Sequence, residues 1–148
     1  MIRKISVKTK FGWISAFEYR KKIYKIKFEK CKNKSTSKNL KKFKLSLNNF
    51  LTKKNKYIKF DSLIKGNPIQ RKVWNELKKI KFGKTKSYGD IAKKYGLSPR
   101  HVGKICAQNK IPLLIPCHRV IRSDGSLGGF SARGGISLKK KLLEFEKN

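Results

Sequence analysis

Ser87-Tyr88-Gly89-Asp90-Ile91-Ala92-Lys93-Lys94-Tyr95-Gly96-Leu97-Ser98-Pro99-Arg100-His101-Val102-Gly103-Lys104-Ile105-Cys106 carries two helix starts and one helix stop. Ser87 with Asp90 three residues later has the spacing of a capping box. Ile91, Ala92 and Tyr95 supply an apolar stripe, and Gly96 can close the helix in the left-handed conformation. Ser98-Pro99 then opens a second helix, since proline is accommodated at the first helical position. In that helix Val102, Ile105 and Cys106 share an inward face, whereas Arg100 and Lys104, four apart, share an outward one. Two readings fit: a helix-turn-helix that offers its second helix to a nucleic-acid groove, or a helical hairpin with a solvated basic face.

Working outward, Asn67-Pro68-Ile69-Gln70 is a further helix start, with an N-cap, a proline at the first position and a glutamine three residues after the cap. Ile69, Val73, Leu77 and Ile80 continue it as an apolar stripe. Upstream the pattern changes. Phe11 to Glu29 reads as a β-hairpin broken at Arg20-Lys21-Lys22, and in its second strand Tyr24, Ile26 and Phe28 alternate with Lys25, Lys27 and Glu29. Leu40, Phe43, Leu47, Phe50 and Leu51 recur at helical spacing, and Tyr57-Ile58-Lys59-Phe60 is expected as a short returning strand. The chain therefore reads as α/β (α+β): a small sheet-plus-helix domain over residues 1–63, then a mainly helical domain over 64–148, with the boundary in the stretch from Ser62 to Gly66.

The 148 residues include 40 Lys and Arg against 8 Asp and Glu, a formal charge of +32. Such an excess points to a polyanionic partner, nucleic acid first, although a general bias of composition toward lysine would also produce it. The hydrophobic fraction of 38% supports a globular chain. No run approaches the roughly 20 apolar residues of a membrane span, and Met1-Ile2-Arg3-Lys4 lacks a signal-peptide core, so a soluble cytoplasmic protein without a membrane partner is expected. Cys31, Cys106 and Cys117 are far apart in sequence and odd in number, which argues against a disulfide framework. With two histidines and no close cysteine pair there is no zinc pattern, and a mechanism with no metal and no cofactor is expected.

Downstream of the paired helices, Ile115-Pro116-Cys117-His118-Arg119-Val120 sets a potential nucleophile beside a potential base. Pro116 fixes its own φ and pushes Ile115 toward extended geometry, so the thiol follows a stiff approach. Neighbouring side chains on an extended segment face opposite ways, so coupling between Cys117 and His118 is expected to run through a turn or a water. Taken alone the pair also fits an inert, buried cysteine. Beyond it, Ser123 to Ser131 has the glycines of a bend or a close approach to ligand.

Pro116-Cys117-His118-Arg119-Val120, preceded by Asn109 and the helix of Arg100 and followed by Gly128-Gly129-Phe130-Ser131, resembles the methylated-DNA–protein-cysteine methyltransferases, or O6-alkylguanine-DNA alkyltransferases. The resemblance runs from about Gly66 to the C-terminus. It implies direct repair: a methyl or alkyl group passes from O6 of guanine, with O4 of thymine a further candidate, to Cys117 after the nucleotide is flipped out of the duplex. The thioether product is not hydrolysed, so each molecule acts once. The expected partner is double-stranded DNA containing O6-alkylguanine, and the expected state is a monomer.

By the same resemblance His118 takes the thiol proton through a water and a glutamate orients it. Glu144 and Glu146 are the candidates. Leu138, Leu142, Phe145 and Glu146 fall on one helical stripe, and Glu144 lies with Lys140 and Lys141 outside it, which selects Glu146. Tyr88 is implied to rotate the nucleotide and donate to N3 of the departing guanine, and Arg100 to fill the vacated stack. Asn109 corresponds to a hinge asparagine, Pro112 to a pocket proline and Ser131 to a donor to O6, with Leu127, Gly129 and Phe130 against the base. The recognition helix is implied to enter the minor groove. A non-catalytic DNA-damage sensor of alkyltransferase-like type is the alternative; Cys117 counts against it.

Overall fold

Strands β1 (Ile2–Thr9), β2 (Gly12–Tyr19) and β3 (Lys22–Lys27) form an antiparallel sheet in the order β1-β2-β3. The computed structural model describes residues 1–147, and the chain divides into two compact units, Met1–Ile64 and Lys65–Asn148. In the first, the hairpin is β2-β3, and β1 adds a strand that the sequence pattern did not reveal. Arg20 and Lys21 turn that hairpin with φ of 49° and 66°, a two-residue turn whose twist matches the strands. The register slips between Phe17 and Glu18, which face Lys25 and Ile23, so Tyr24 is an extra residue on β3. This bulge puts both Ile23 and Ile26 inward, a spacing that strict alternation forbids.

Helix α1 (Lys38–Leu51) covers the inward face of that sheet with Leu40, Phe43, Leu47 and Phe50. Ser37 caps it, accepting from the Leu40 amide at 3.1 Å while its hydroxyl donates to buried Glu18 at 2.7 Å. Tyr57 to Phe60 is not a strand. Within it the Lys59 amide donates to Ser46 Oγ at 2.8 Å; the Asn39 side chain holds the next residue, donating to the Asp61 carbonyl at 2.9 Å and accepting from the Asp61 amide at 3.0 Å, and a single bridge beyond it joins Ile23 to Ser62. Ile58 and Phe60 are nevertheless buried, Phe60 edge-on to Phe43 at 5.5 Å.

In the second unit α2 (Pro68–Lys78) has a reciprocal capping box: Asn67 accepts from the Gln70 amide at 2.8 Å and Gln70 accepts from the Asn67 amide at 2.9 Å. A two-residue strand, β4 (Lys86–Ser87), leads directly into α3 (Tyr88–Tyr95). There Ser87 caps by accepting from the Asp90 amide at 2.9 Å, the same half of the box, and Gly96 ends the helix at φ 65°. Helix α4 (Pro99–Ala107) buries Val102, Ile105 and Cys106, and the Trp74 indole of α2 donates to the Ile105 carbonyl at 3.0 Å. Glu76 of α2 is buried and accepts from Lys94 at 2.9 Å, Tyr95 at 3.0 Å and Lys86 at 3.3 Å. The Lys94 bond, with those of Tyr95 and Lys86, outweighs burial and holds its pKa at about 2. That carboxylate ties α2 to α3.

Strand β5 (Val120–Ile121) pairs in parallel with β4, Lys86 beside Val120 and Ser87 beside Ile121. The chain closes with α5 (Gly135–Lys147). The β4-β5 ladder has a functional consequence, because it pins the start of α3 to the residues that immediately follow Cys117-His118-Arg119. Among the described residues no helix is long and apolar enough to cross a membrane.

Candidate active site

Asn109, buried just beyond the end of α4, fastens the segment that leads to the cysteine. Its side chain accepts from the Ile111 amide at 2.9 Å and donates to the Ile115 carbonyl at 2.9 Å and to Cys117 Sγ at 3.2 Å. One residue thus holds both ends of the loop and touches the sulfur. Inside this loop Leu113 sits at φ 76°, a left-handed conformation that costs a non-glycine residue roughly 1–2 kcal/mol and persists only where packing holds it.

Cys117-His118-Arg119 is a 3₁₀ turn and not the extended segment expected from Pro116. The Arg119 amide reaches the Pro116 carbonyl at 3.0 Å, closing the turn. Adjacent side chains on such a turn diverge by about a third of a revolution, which lets Cys117 face a cavity while His118 is fully buried behind it. Burial pushes the Cys117 thiol up, opposed by the Asn109 hydrogen bond and the Lys139 charge. The sulfur therefore requires a base.

His118 Nε2 lies 2.7 Å from Glu146 Oε2. A carboxylate at that distance keeps the proton on Nε2 and leaves the lone pair on Nδ1, which is buried and has no hydrogen-bond partner among the described residues. Burial pushes the imidazole pKa down, with the Glu146 hydrogen bond working against it. Arg119 grips the same carboxylate through Nε at 2.8 Å and an Nη at 3.0 Å, and its other Nη donates to the Ile80 carbonyl at 2.7 Å. Burial alone would raise Glu146, but the bonds from His118 and Arg119 prevail and hold it at about 2. Glu144 is exposed on the other side of α5.

The cavity has a volume of about 660 Å³, and Cys117, Tyr88, Arg100, Gly129, Phe130 and Ser131 line it. Tyr88 is half-buried and Arg100 is exposed at the first turn of α4. Asn109, His118 and Glu146 stand behind this wall. Pro112 and Leu127 are not among the lining residues: Pro112 is buried in a bridge with Ile115, and Leu127 is partly exposed in the glycine loop. Gly128 has φ 72°, and a Cβ there would meet the Tyr88 ring at 3.0 Å, so the glycine allows the loop to close on the tyrosine.

Two functional candidates escaped the reading of the sequence. Lys139 is fully buried, and its ammonium donates to the Val120 carbonyl at 2.6 Å, the Tyr88 hydroxyl at 3.1 Å and the Gly129 carbonyl at 3.2 Å. Burial lowers its pKa to about 8, against the raising influence of Cys117 and Cys106. Burial raises Tyr88 to about 12. Lys139 lies seven residues before Glu146, so it shares that residue's stripe on α5, but within Lys139-Lys140-Lys141 it reads as surface charge. Arg119, the second, belongs to the Pro116-Cys117-His118-Arg119-Val120 run but carries no role in that reading.

Comparison with known proteins agrees with this geometry. The sequence pattern of a family described as "6-O-methylguanine DNA methyltransferase, DNA binding domain" matches residues 68–148. A protein of Metallosphaera sedula named methylated-DNA–protein-cysteine methyltransferase is 38% identical over 149 aligned residues, covering 99% of this chain and 94% of its own length. One of the same name from Methanocaldococcus vulcanius is 57% identical over 77 residues, 52% of this chain and 46% of its own length. A crystal structure of Mycobacterium tuberculosis OGT in complex with DNA superposes with a TM-score of 0.84 at 26% identity, covering 98% of this chain and 93% of that one.

Proposed function

This chain belongs to the methylated-DNA–protein-cysteine methyltransferase family, and on that premise we propose that it repairs duplex DNA by taking a methyl or other alkyl group from O6 of guanine onto Cys117. The observation that carries the reading is Cys117 on the wall of a cavity beside the basic helix α4, backed by His118 and Glu146 at 2.7 Å. A sensor that only binds alkylated bases has no use for an acceptor sulfur so placed.

The chemistry follows from the contacts. His118 Nδ1, its lone pair held available by Glu146, takes the thiol proton through a water. The thiolate attacks the alkyl carbon; an S–C bond forms as the C–O6 bond breaks, and the bond electrons remain on guanine. The departing base needs a proton donor at N3. The Lys139 ammonium donates to the Tyr88 oxygen at 3.1 Å, which orients the phenolic hydrogen away from itself and toward the cavity. Tyr88 donates there, and its proton is replaced along the same contact. Arg100 enters the stack when the nucleotide leaves it, at a cost of a few kcal/mol for unstacking. The protein acts as a monomer in the reducing cytoplasm, in keeping with three free thiols.

Stoichiometry tests the reading. With excess O6-methylguanine duplex, transfer stops at one methyl per protein molecule; continued turnover would contradict a thioether-forming acceptor.

A further inference from the structure

The outward face of the three-stranded sheet has no place in the reaction above, yet it is organised. On β2 the residues Trp13 and Phe17 point away from the α1 side, since their neighbours Ile14 and Ala16 are buried in the core. Lys8 stands directly across from Trp13, and Lys4 and Lys25 stand across from Phe17. The Lys25 ammonium lies 4.7 Å from the Phe17 ring centroid. The segment after β3 adds two more cations, and it is tied down to do so. The Cys31 amide donates to Ser6 Oγ at 2.8 Å and the Ser35 amide to the Lys4 carbonyl at 2.9 Å, and the ammoniums of Lys30 and Lys34 lie 4.9 and 5.4 Å from the Trp13 ring centroid.

Acidic side chains are scarce here. Residues 1–64 hold 20 Lys and Arg against Glu18, Glu29 and Asp61. Glu18 is buried under the Ser37 cap, Asp61 pairs with Lys42 at 3.9 Å, and Glu29 pairs with Lys27 at 3.4 Å. So few carboxylates leave the sheet face strongly positive. A compositional excess of lysine explains the number of cations; it does not explain why five of them gather around the two aromatic rings of one sheet face.

We propose that this face is a second nucleic-acid contact, one that holds single-stranded DNA with its phosphates on Lys4, Lys8, Lys25, Lys30 and Lys34 and its unpaired bases on Trp13 and Phe17. Aromatic rings inside a basic track are the combination that binds unpaired strands without reading their sequence, because every base has a face to stack and every nucleotide a phosphate. The surface lies in the first unit, and none of its residues lines the alkyl-acceptor cavity.

The test uses the full chain and an oligothymidylate. Trp13 is partly exposed and Trp74 is 96% buried, so quenching of tryptophan emission reports Trp13, and Trp13→Tyr removes the signal. The proposal expects quenching by the single strand, little by a duplex of equal length, and an affinity that falls with salt. In Lys8→Gln/Lys30→Gln/Lys34→Gln the slope of log affinity against log salt falls by about two, at roughly 0.7 for each phosphate no longer neutralised. The control Lys54→Gln/Lys56→Gln/Lys59→Gln removes the same charge from exposed positions after α1 and leaves the slope unchanged. Equal weakening in both triple variants, absence of quenching, or equal quenching by duplex would overturn the proposal. Methyl transfer from duplex O6-methylguanine proceeds in the triple variants, so failure here is distinguishable from failure of the repair function.

Discussion

Glu146 is buried with two side-chain partners, and each of them fixes a different consequence. Through His118 it determines which imidazole nitrogen keeps a lone pair; through Arg119 it neutralises a buried guanidinium. Glu146→Gln therefore slows methyl transfer by about a hundredfold, at the low end of general-base contributions, while exposed Glu144→Gln leaves the rate nearly unchanged. Single-turnover rates on duplex substrate decide this, and the reverse order would refute the assignment. Its carboxyl sits at about 2 in the fold against an ordinary 4.5, so it contributes stability that is complete above pH 4.5 and is lost as pH falls toward 2. That contribution is ~3 kcal/mol, and urea melts of wild type and Glu146→Gln should differ by that order at pH 7 and converge near pH 2. For Lys139 the effect falls on the sulfur: its positive charge favours the thiolate, so Lys139→Met moves the pH of half-maximal Cys117 alkylation upward. A profile unmoved by the substitution would remove Lys139 from the account. Cys117 and His118 were legible in the sequence as a proline-led pair whose roles came from the family resemblance, and the helical stripe served only to choose Glu146 over Glu144. Lys139 was hidden, since its burial depends on carbonyls of Val120 and Gly129 that only the folded loop brings to it.

At the scale of elements, caps and periodicity were legible almost throughout. Asn67, Ser87 and Ser98 all cap the helices they announced, and Gly96 stops α3 in the left-handed region. What failed was strand structure. The β1 strand has alternation diluted by lysine; the β3 bulge breaks the period; and around Tyr57 to Phe60 side chains of α1 take the backbone, Ser46 at Lys59 and Asn39 at Asp61. The short β4-β5 pairing has no sequence signature at two residues a side, although it sets Tyr88 beside the cysteine turn. Helix α4 presents Arg100 outward at the mouth of the cavity, where it can occupy a gap in the stack without touching the sulfur. Arg100→Ala should consequently depress transfer from duplex at least tenfold more than transfer from free O6-benzylguanine base. Equal effects on the two substrates would assign Arg100 to the chemistry or to folding and not to flipping.

For the whole molecule, the charge of +32 was the plainest statement in the sequence and the least able to locate a site, because both units carry it. Geometry supplies the location: a basic helix, a cavity of about 660 Å³ beside it, and two cysteines on its wall, Cys106 and Cys117, of which Cys117 adjoins the His118–Glu146 pair. The family relationship and the side-chain network converge on that sulfur. The most direct measurement is mass spectrometry of the Cys117 peptide after incubation with an O6-methylguanine duplex. The account predicts a gain of one methyl on Cys117, none on Cys31 or Cys106, and none anywhere in Cys117→Ala; an unmodified Cys117, or an undiminished gain in Cys117→Ala, would contradict it.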